Sequence, residues 1–182
     1  MIDLKGNFDL EMKLRKASIK DKSELAALCI ESYTKTYHDH WEEGGLAWYL
    51  EREFGDQRIA LDLSSSSITY YFIEFQGDRI GFIKINTTSS IPGIVNAIEL
   101  DKFYILSQYT GLGIGNLAFD ALLKKTELLG KEFMSLCVID TNDKAIRLYK
   151  KLGFIFHSKI RLELPYFKEE LKGMHHMVKG FI

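Results

Sequence analysis

The segment Gln108-Tyr109-Thr110-Gly111-Leu112-Gly113-Ile114-Gly115 sets three glycines between a strand-like run and a long helical pattern. Glycine permits positive φ and close main-chain approach. A helix start adds about half a positive charge. Such a loop can therefore turn its amides toward a phosphate or pyrophosphate; the same glycines would also serve a tight turn ahead of a packed helix. A Walker loop does not fit, because Asn116-Leu117 stands where Lys-Ser or Lys-Thr is needed. A dinucleotide fingerprint is disfavoured as well, since its third glycine would fall on Asn116. Glu99 and Asp101 alternate along one strand pattern and so point to one face. Either could take a proton through a water, or both could belong to a wet face paired with Lys or Arg. The segment from Glu31 to Glu43 is rich in rings and charges. Tyr33, Tyr37 and Trp41 could hold a cation by their ring faces. Glu31, Asp39, Glu42 and Glu43 could pair with it; the alternative is core packing of the rings and solvated charges.

No metal site is expected. His38 and His40 are two residues apart rather than four, and the adjacent His175 and His176 would point to opposite faces of a strand. Cys29 and Cys137 sit in apolar surroundings and are expected to be small buried hydrophobes, with no disulfide or zinc spacing.

The elements that must position these residues follow from periodicity. Met12 to Ala17 alternates as a strand. A helix follows from Ser18, with Ser18 or Asp21 as its cap, then a second helix over about Glu43 to Phe54 and a short one over Gln57 to Leu63. Ser64 to Ser67 is a polar loop. Ile68 to Phe75 and Arg79 to Ile85 form a hairpin about Gln76-Gly77-Asp78. Thr87 to Gly93 is a loop. Ala97 to Leu106 is a third long strand, Ile114 to Leu129 a helix stopped by Gly130, and Phe133 to Ile139 an apolar strand. Asn142 to Leu152 is a helix ended by Gly153; Phe154 to Ile160 and Met174 to Lys179 close the chain as strands. Strands alternating with helices around a hairpin give an α/β class with a mixed sheet.

At 182 residues, 46% hydrophobic and with 23 aromatics, the chain is expected to be one folded domain (1–182, with 1–11 as an extension) rather than disordered. Lys and Arg number 24 against 25 Asp and Glu, which argues against a dedicated nucleic-acid binder. No apolar run of signal-peptide or membrane-span length occurs, so a soluble, cytoplasmic protein without a membrane partner is expected. Apolar residues near the C-terminal strand could support a homodimer.

Leu100 to Gly115, a strand followed by Gln108-x-x-Gly111-x-Gly113, resembles the acetyl-coenzyme A (acetyl-CoA) motif of the GNAT superfamily of N-acetyltransferases. Downstream, Asn142, Ala145, Tyr149, Gly153 and Phe154 match the superfamily's second signature, in the expected order and separation. The resemblance spans about Met12 to Lys179. It implies a mixed, mostly antiparallel sheet of about seven strands with splayed central strands, flanked by about four helices. It also implies acetyl-CoA as cosubstrate, with no metal. Its pantetheine arm would pair with the backbone of Phe103, Tyr104 and Ile105. Its pyrophosphate would sit on amides of the Gly111, Leu112, Gly113, Ile114 and Gly115 loop after Gln108. Asn142 would hydrogen-bond the arm, and Ala145 would let a helix lie close to it.

The implied activity is direct acetyl transfer to a primary amine. Tyr149, otherwise a core aromatic on an amphipathic helix, becomes the acid for the departing thiolate, because a phenol is protonated at neutral pH. Glu99 and Asp101 are the candidate bases. Proximity and orientation could supply most of the rate. Tyr33, Tyr37 and Trp41 fall where the superfamily walls its acceptor site. The segments Glu31 to Glu43 and Tyr70 to Asn86 are similar to bacterial acetyltransferases assigned to polyamines, which suggests a small cationic amine. Aminoglycosides, amino acids and protein N-termini stay open as acceptors. The reading from another class is a non-catalytic acyl-CoA binding or sensing module.

Overall fold

The computed structural model describes residues 11–88 and 94–181. Residues 1–10 of the expected N-terminal extension, and residues 89–93 of the loop expected over Thr87 to Gly93, lie outside the described residues. The elements run β1 (Met12–Lys16), α1 (Lys22–Tyr37), α2 (Gly45–Phe54), α3 (Asp56–Ser64), β2 (Ile68–Phe75), β3 (Asp78–Asn86), β4 (Ala97–Ile105), α4 (Ile114–Thr126), β5 (Phe133–Ile139), α5 (Asp143–Lys151), β6 (Ile155–Arg161) and β7 (Gly173–Gly180). The strands form one sheet in the order β1-β2-β3-β4-β5-β7-β6, antiparallel throughout except where β4 meets β5. No described helix is long and apolar enough to cross a membrane.

Alternation along the strands divides the apolar side chains between two cores. On one face Ile73, Ile83, Ile98 and Leu100 pack with Ile114, Ala118, Phe119 and Leu122 of α4 and Ile146 of α5. On the other, Tyr70, Phe72 and Phe82 pack with Leu25 and Cys29 of α1, Tyr49 and Phe54 of α2 and Ile59 of α3. The β2–β3 hairpin turns on Gln76 (φ 51°) and Gly77 (φ 92°), the two left-handed residues that match the twist of the flanking strands.

Two features of β4 shape what lies beside it. Its register with β3 runs Ile85 to Leu100 and then Lys84 to Lys102, so Asp101 is an inserted residue, a bulge. A bulge re-aims the side chains that follow it. Phe103 and Ile105 pack toward α4, while Tyr104 joins the α1–α3 core. Second, β5 pairs with β4 only through Ala97, Ile98 and Glu99. Beyond Glu99 the two strands part.

Three local expectations change. Ser18 and Asp21 close on each other, Ser18 N and Oγ each donating to Asp21 Oδ2 at 2.8 Å around a single 3-10 turn ahead of α1. The Asp21 carboxylate also takes Arg15, so it is not spent on the first amides of α1. Ser64 ends α3 rather than opening the loop. Cys29 is buried as expected, but Cys137 is exposed. Its neighbours Leu136 and Val138 fill the α4 core, whereas Cys137 looks out of the other face, into the gap where β4 has left β5.

Candidate active site

A cleft of about 840 Å³ follows the parting of β4 and β5 through the sheet, within the size range of sites for small molecules and cofactors. Glu99 stands at its apex, in the last β4–β5 pair. Phe103, Tyr104 and Ile105 line one side of the gap, and Cys137, Val138, Asn142, Ala145 and Tyr149 the other.

The glycine loop lies at one mouth, where Thr110, Gly111, Gly113, Gly115 and Asn116 line the cleft. Gly111 (φ 83°) and Gly113 (φ 78°) are left-handed, and a Cβ on either would meet nothing within 4 Å. The glycines are therefore required by backbone conformation, and the space above them is open. Gly113 supplies no side-chain cap to α4, so that helix start keeps the partial positive charge that suits an anion. The Leu112 side chain is 56% exposed, and that of Ile114 is buried under α4. Neither lines the cleft, which leaves only their main chain to contribute. Gln108 lies in the one-turn helix Ser107–Tyr109. It lines a separate shallow depression with Arg79 and Glu24 beside the hairpin.

Asn142 caps α5, its Oδ1 accepting from the Ala145 amide at 3.1 Å. That leaves its NH2 group to donate, and its side chain reaches the Tyr37 hydroxyl. Tyr149 packs edge-on against Phe154, with ring centroids 5.8 Å apart, and its ring lines the cleft. Burial first, and the nearby Tyr37 second, raise its pKa above the ordinary phenol value. The group is protonated at neutral pH, available to give a proton and not to take one.

The two candidate carboxylates both line the cleft, yet their surroundings separate them. Asp101 lies 2.9 Å from Lys102 Nζ and 3.0 Å from Lys84 Nζ. Burial alone would raise its pKa; the two lysines outweigh that and hold it at about 2. Lys84 is 1% exposed and also meets Asp62 at 3.0 Å. Asp62 accepts in turn from the Tyr70 hydroxyl at 3.0 Å and pairs with Arg58 at 3.1 Å. Lys102 reaches Glu53 at 3.5 Å, and its pKa is raised because Asp101, Tyr49 and Glu53 outweigh desolvation. The bulge puts Asp101 into this network, which ties β3 and β4 to α2 and α3. A carboxylate held so acidic does not accept a proton at neutral pH.

Tyr33 and Tyr37 line the far mouth together with Tyr49 and Tyr104. Tyr33 stacks on Tyr49 at 4.5 Å and lies 4.9 Å from Tyr37, which meets Tyr104 edge-on at 6.2 Å. Trp41 does not join them. It is 6% exposed, wedged against Tyr49 and Phe167, and bridged through its backbone to Phe167. The bridge holds the stretch between β6 and β7 over the site, and Leu162, Leu164 and Phe167 line the cleft. The apolar alternation of Leu162 and Leu164 ahead of Pro165 was the available signal. None of Glu31, Asp39, Glu42 and Glu43 lines the cleft; Glu31 pairs with Lys35 and Asp39 with His38. His175 and His176 pack on Phe156 and His157 instead. Among the described residues no cluster of three His, Cys, Asp or Glu could hold a metal.

Known proteins add to this geometry. The sequence matches the acetyltransferase (GNAT) family over residues 27–154. It is 22% identical over 144 residues, 78% of this chain and 83% of the relative, to an uncharacterized N-acetyltransferase of Lactobacillus delbrueckii subsp. lactis. It is 29% identical to the spermine/spermidine N(1)-acetyltransferase of Bacillus subtilis over 47% of this chain and 59% of that protein. The fold superposes on the PaiA N-acetyltransferase of Thermoplasma acidophilum, solved in complex with coenzyme A, with a TM-score of 0.75, 21% identity, and coverage of 94% of this chain and 100% of that one.

Proposed function

The chain belongs to the acetyltransferase (GNAT) family, and from that premise we propose that it moves the acetyl group of acetyl-CoA directly onto a small primary amine. The observation that carries this reading is the parting of β4 from β5 beyond Glu99, with an uncapped glycine-led helix start at one mouth. The residues present fit the cosubstrate. Left-handed Gly111 and Gly113 with open space above them suit a pyrophosphate, and the β4 edge at Phe103 to Ile105, without a strand on that side among the described residues, suits an amide-bearing arm. Asn142 has a donor left after capping α5.

Acetyl-CoA supplies the thioester carbonyl and a thiolate leaving group. The glycine-loop amides and Asn142 hold it in register, so that attack becomes effectively unimolecular. Glu99, at the apex, takes a proton from the amine through a water, and the nitrogen lone pair forms the new C–N bond. As the C–S bond breaks, the Tyr149 hydroxyl gives its proton to sulfur, and the second proton that the nitrogen sheds on becoming an amide returns to the Tyr149 phenolate. Lys84 and Lys102 hold Asp101 ionised beneath the reacting atoms, where it anchors the bulge and does not serve as base.

The second reading, a non-catalytic acyl-CoA sensor, uses the same cleft. A tyrosine hydroxyl and a carboxylate lining the one cleft favour catalysis over it. Calorimetry with coenzyme A and thiol release with a panel of amines separate the two. Heat of binding together with amine-dependent thiol release is the expected result; heat without thiol release for any amine would favour the sensor.

A further inference from the structure

The far mouth of the cleft has walls of one chemical kind. Tyr37 and Tyr49 form one side, and Leu162, Leu164, Phe167 and Met174 the other. Carboxylates that could meet a polycation are few. Among the described residues, two carboxylates line the cleft, Glu99 and Asp101, and Asp101 is paired with Lys84 and Lys102. The acidic residues of α1 and of the stretch before α2 stand outside it, with Glu31 paired to Lys35.

We propose that the acceptor is a primary monoamine carrying an aromatic or branched aliphatic body, and that polyamines are poor substrates. This inference rests on the transferase reading above. One ammonium group is matched by the tyrosine ring faces. The body beyond it removes the apolar wall from water. A second or third ammonium group would have to shed its water beside leucine, phenylalanine and methionine, without a new partner. Leu164 is the most informative position, because it is half-buried, lines the chamber and takes no part in the chemistry.

The test compares kcat/KM for thiol release with phenethylamine, 3-methylbutylamine, putrescine and spermidine at one pH and ionic strength. Phenethylamine or 3-methylbutylamine should exceed spermidine by at least about tenfold, a difference of about 1.4 kcal/mol. Leu164→Glu should move that ratio toward spermidine by a similar factor, with the heat of coenzyme A binding unchanged. Spermidine used as well as the monoamines, or a ratio unmoved in Leu164→Glu, overturns the inference and leaves the transferase intact. If the wild-type protein binds coenzyme A yet releases no thiol with any of the four, nor with amino acids, aminoglycosides or short peptides, the transferase reading fails and the inference with it. The wild-type ratio alone decides the question if the variant does not fold.

Discussion

Two carboxylates on one strand face become different residues once their neighbours are known. Asp101 is closed in by two buried lysines. Its folded pKa of about 2 lies below the roughly 3.9 of an unfolded aspartate. A depressed folded pKa gives stability that is present above the unfolded value and lost as pH falls through the folded one. Asp101 should therefore add acid sensitivity between about pH 4 and pH 2. Urea midpoints measured from pH 2 to pH 7 should show that limb flattened in Asp101→Asn. At pH 7 the same variant should lose about 3–5 kcal/mol, because it leaves Lys84 and Lys102 short of a buried partner. Lys102 titrates in the opposite sense: its raised pKa keeps its contribution intact through neutral pH and loses it only in strong alkali. A variant as stable as the parent at pH 7 would mean that the network is not structural.

Much of the element scale was legible because it is local. Apolar runs and stop residues placed β5 at Phe133–Ile139 and the start of α4 at Ile114, and the paired motifs around Gly111 and Asn142 marked the two loops that meet at the cleft. What was not legible depends on partners distant in sequence. Glu99, Leu100 and Asp101 alternate smoothly, and only the register with β3 shows Asp101 as an extra residue. Trp41 looks like an acceptor aromatic until the bridge to Phe167 turns it inward. Cys137 has apolar neighbours like any core cysteine, and the parting of β4 from β5 opens it to the cleft. The glycine loop gives an element-scale prediction. At Gly113 a side chain has room but the wrong φ, a strain of about 1–2 kcal/mol for an L-residue. Gly113→Val should relieve it by turning the amides aside. KM for acetyl-CoA should rise by about tenfold, as that energy implies, with kcat at saturation changed less. An unchanged KM would remove the loop from the site.

At the scale of the molecule, α1–α3 cover one face of the sheet and α4–α5 the other, and the gap between β4 and β5 joins the two. Cys137 reports on occupancy of that gap. Desolvation, with Glu99 and Asp101 nearby, pushes its thiol up to about 11, so alkylation should be slow at neutral pH and faster toward pH 10. Saturating coenzyme A should slow it further, while buried Cys29 stays unreacted in the folded protein; peptide mass spectrometry reads both. Protection absent at Cys137 would place the ligand elsewhere. The central claim, that this cleft passes an acetyl group directly to an amine with Tyr149 as the proton donor, is tested most directly by thiol-release turnover of Tyr149→Phe against the parent on an amine that the parent acetylates. The account predicts a kcat lower by about a hundredfold or more, with coenzyme A bound as tightly as before. Full turnover in Tyr149→Phe would contradict it.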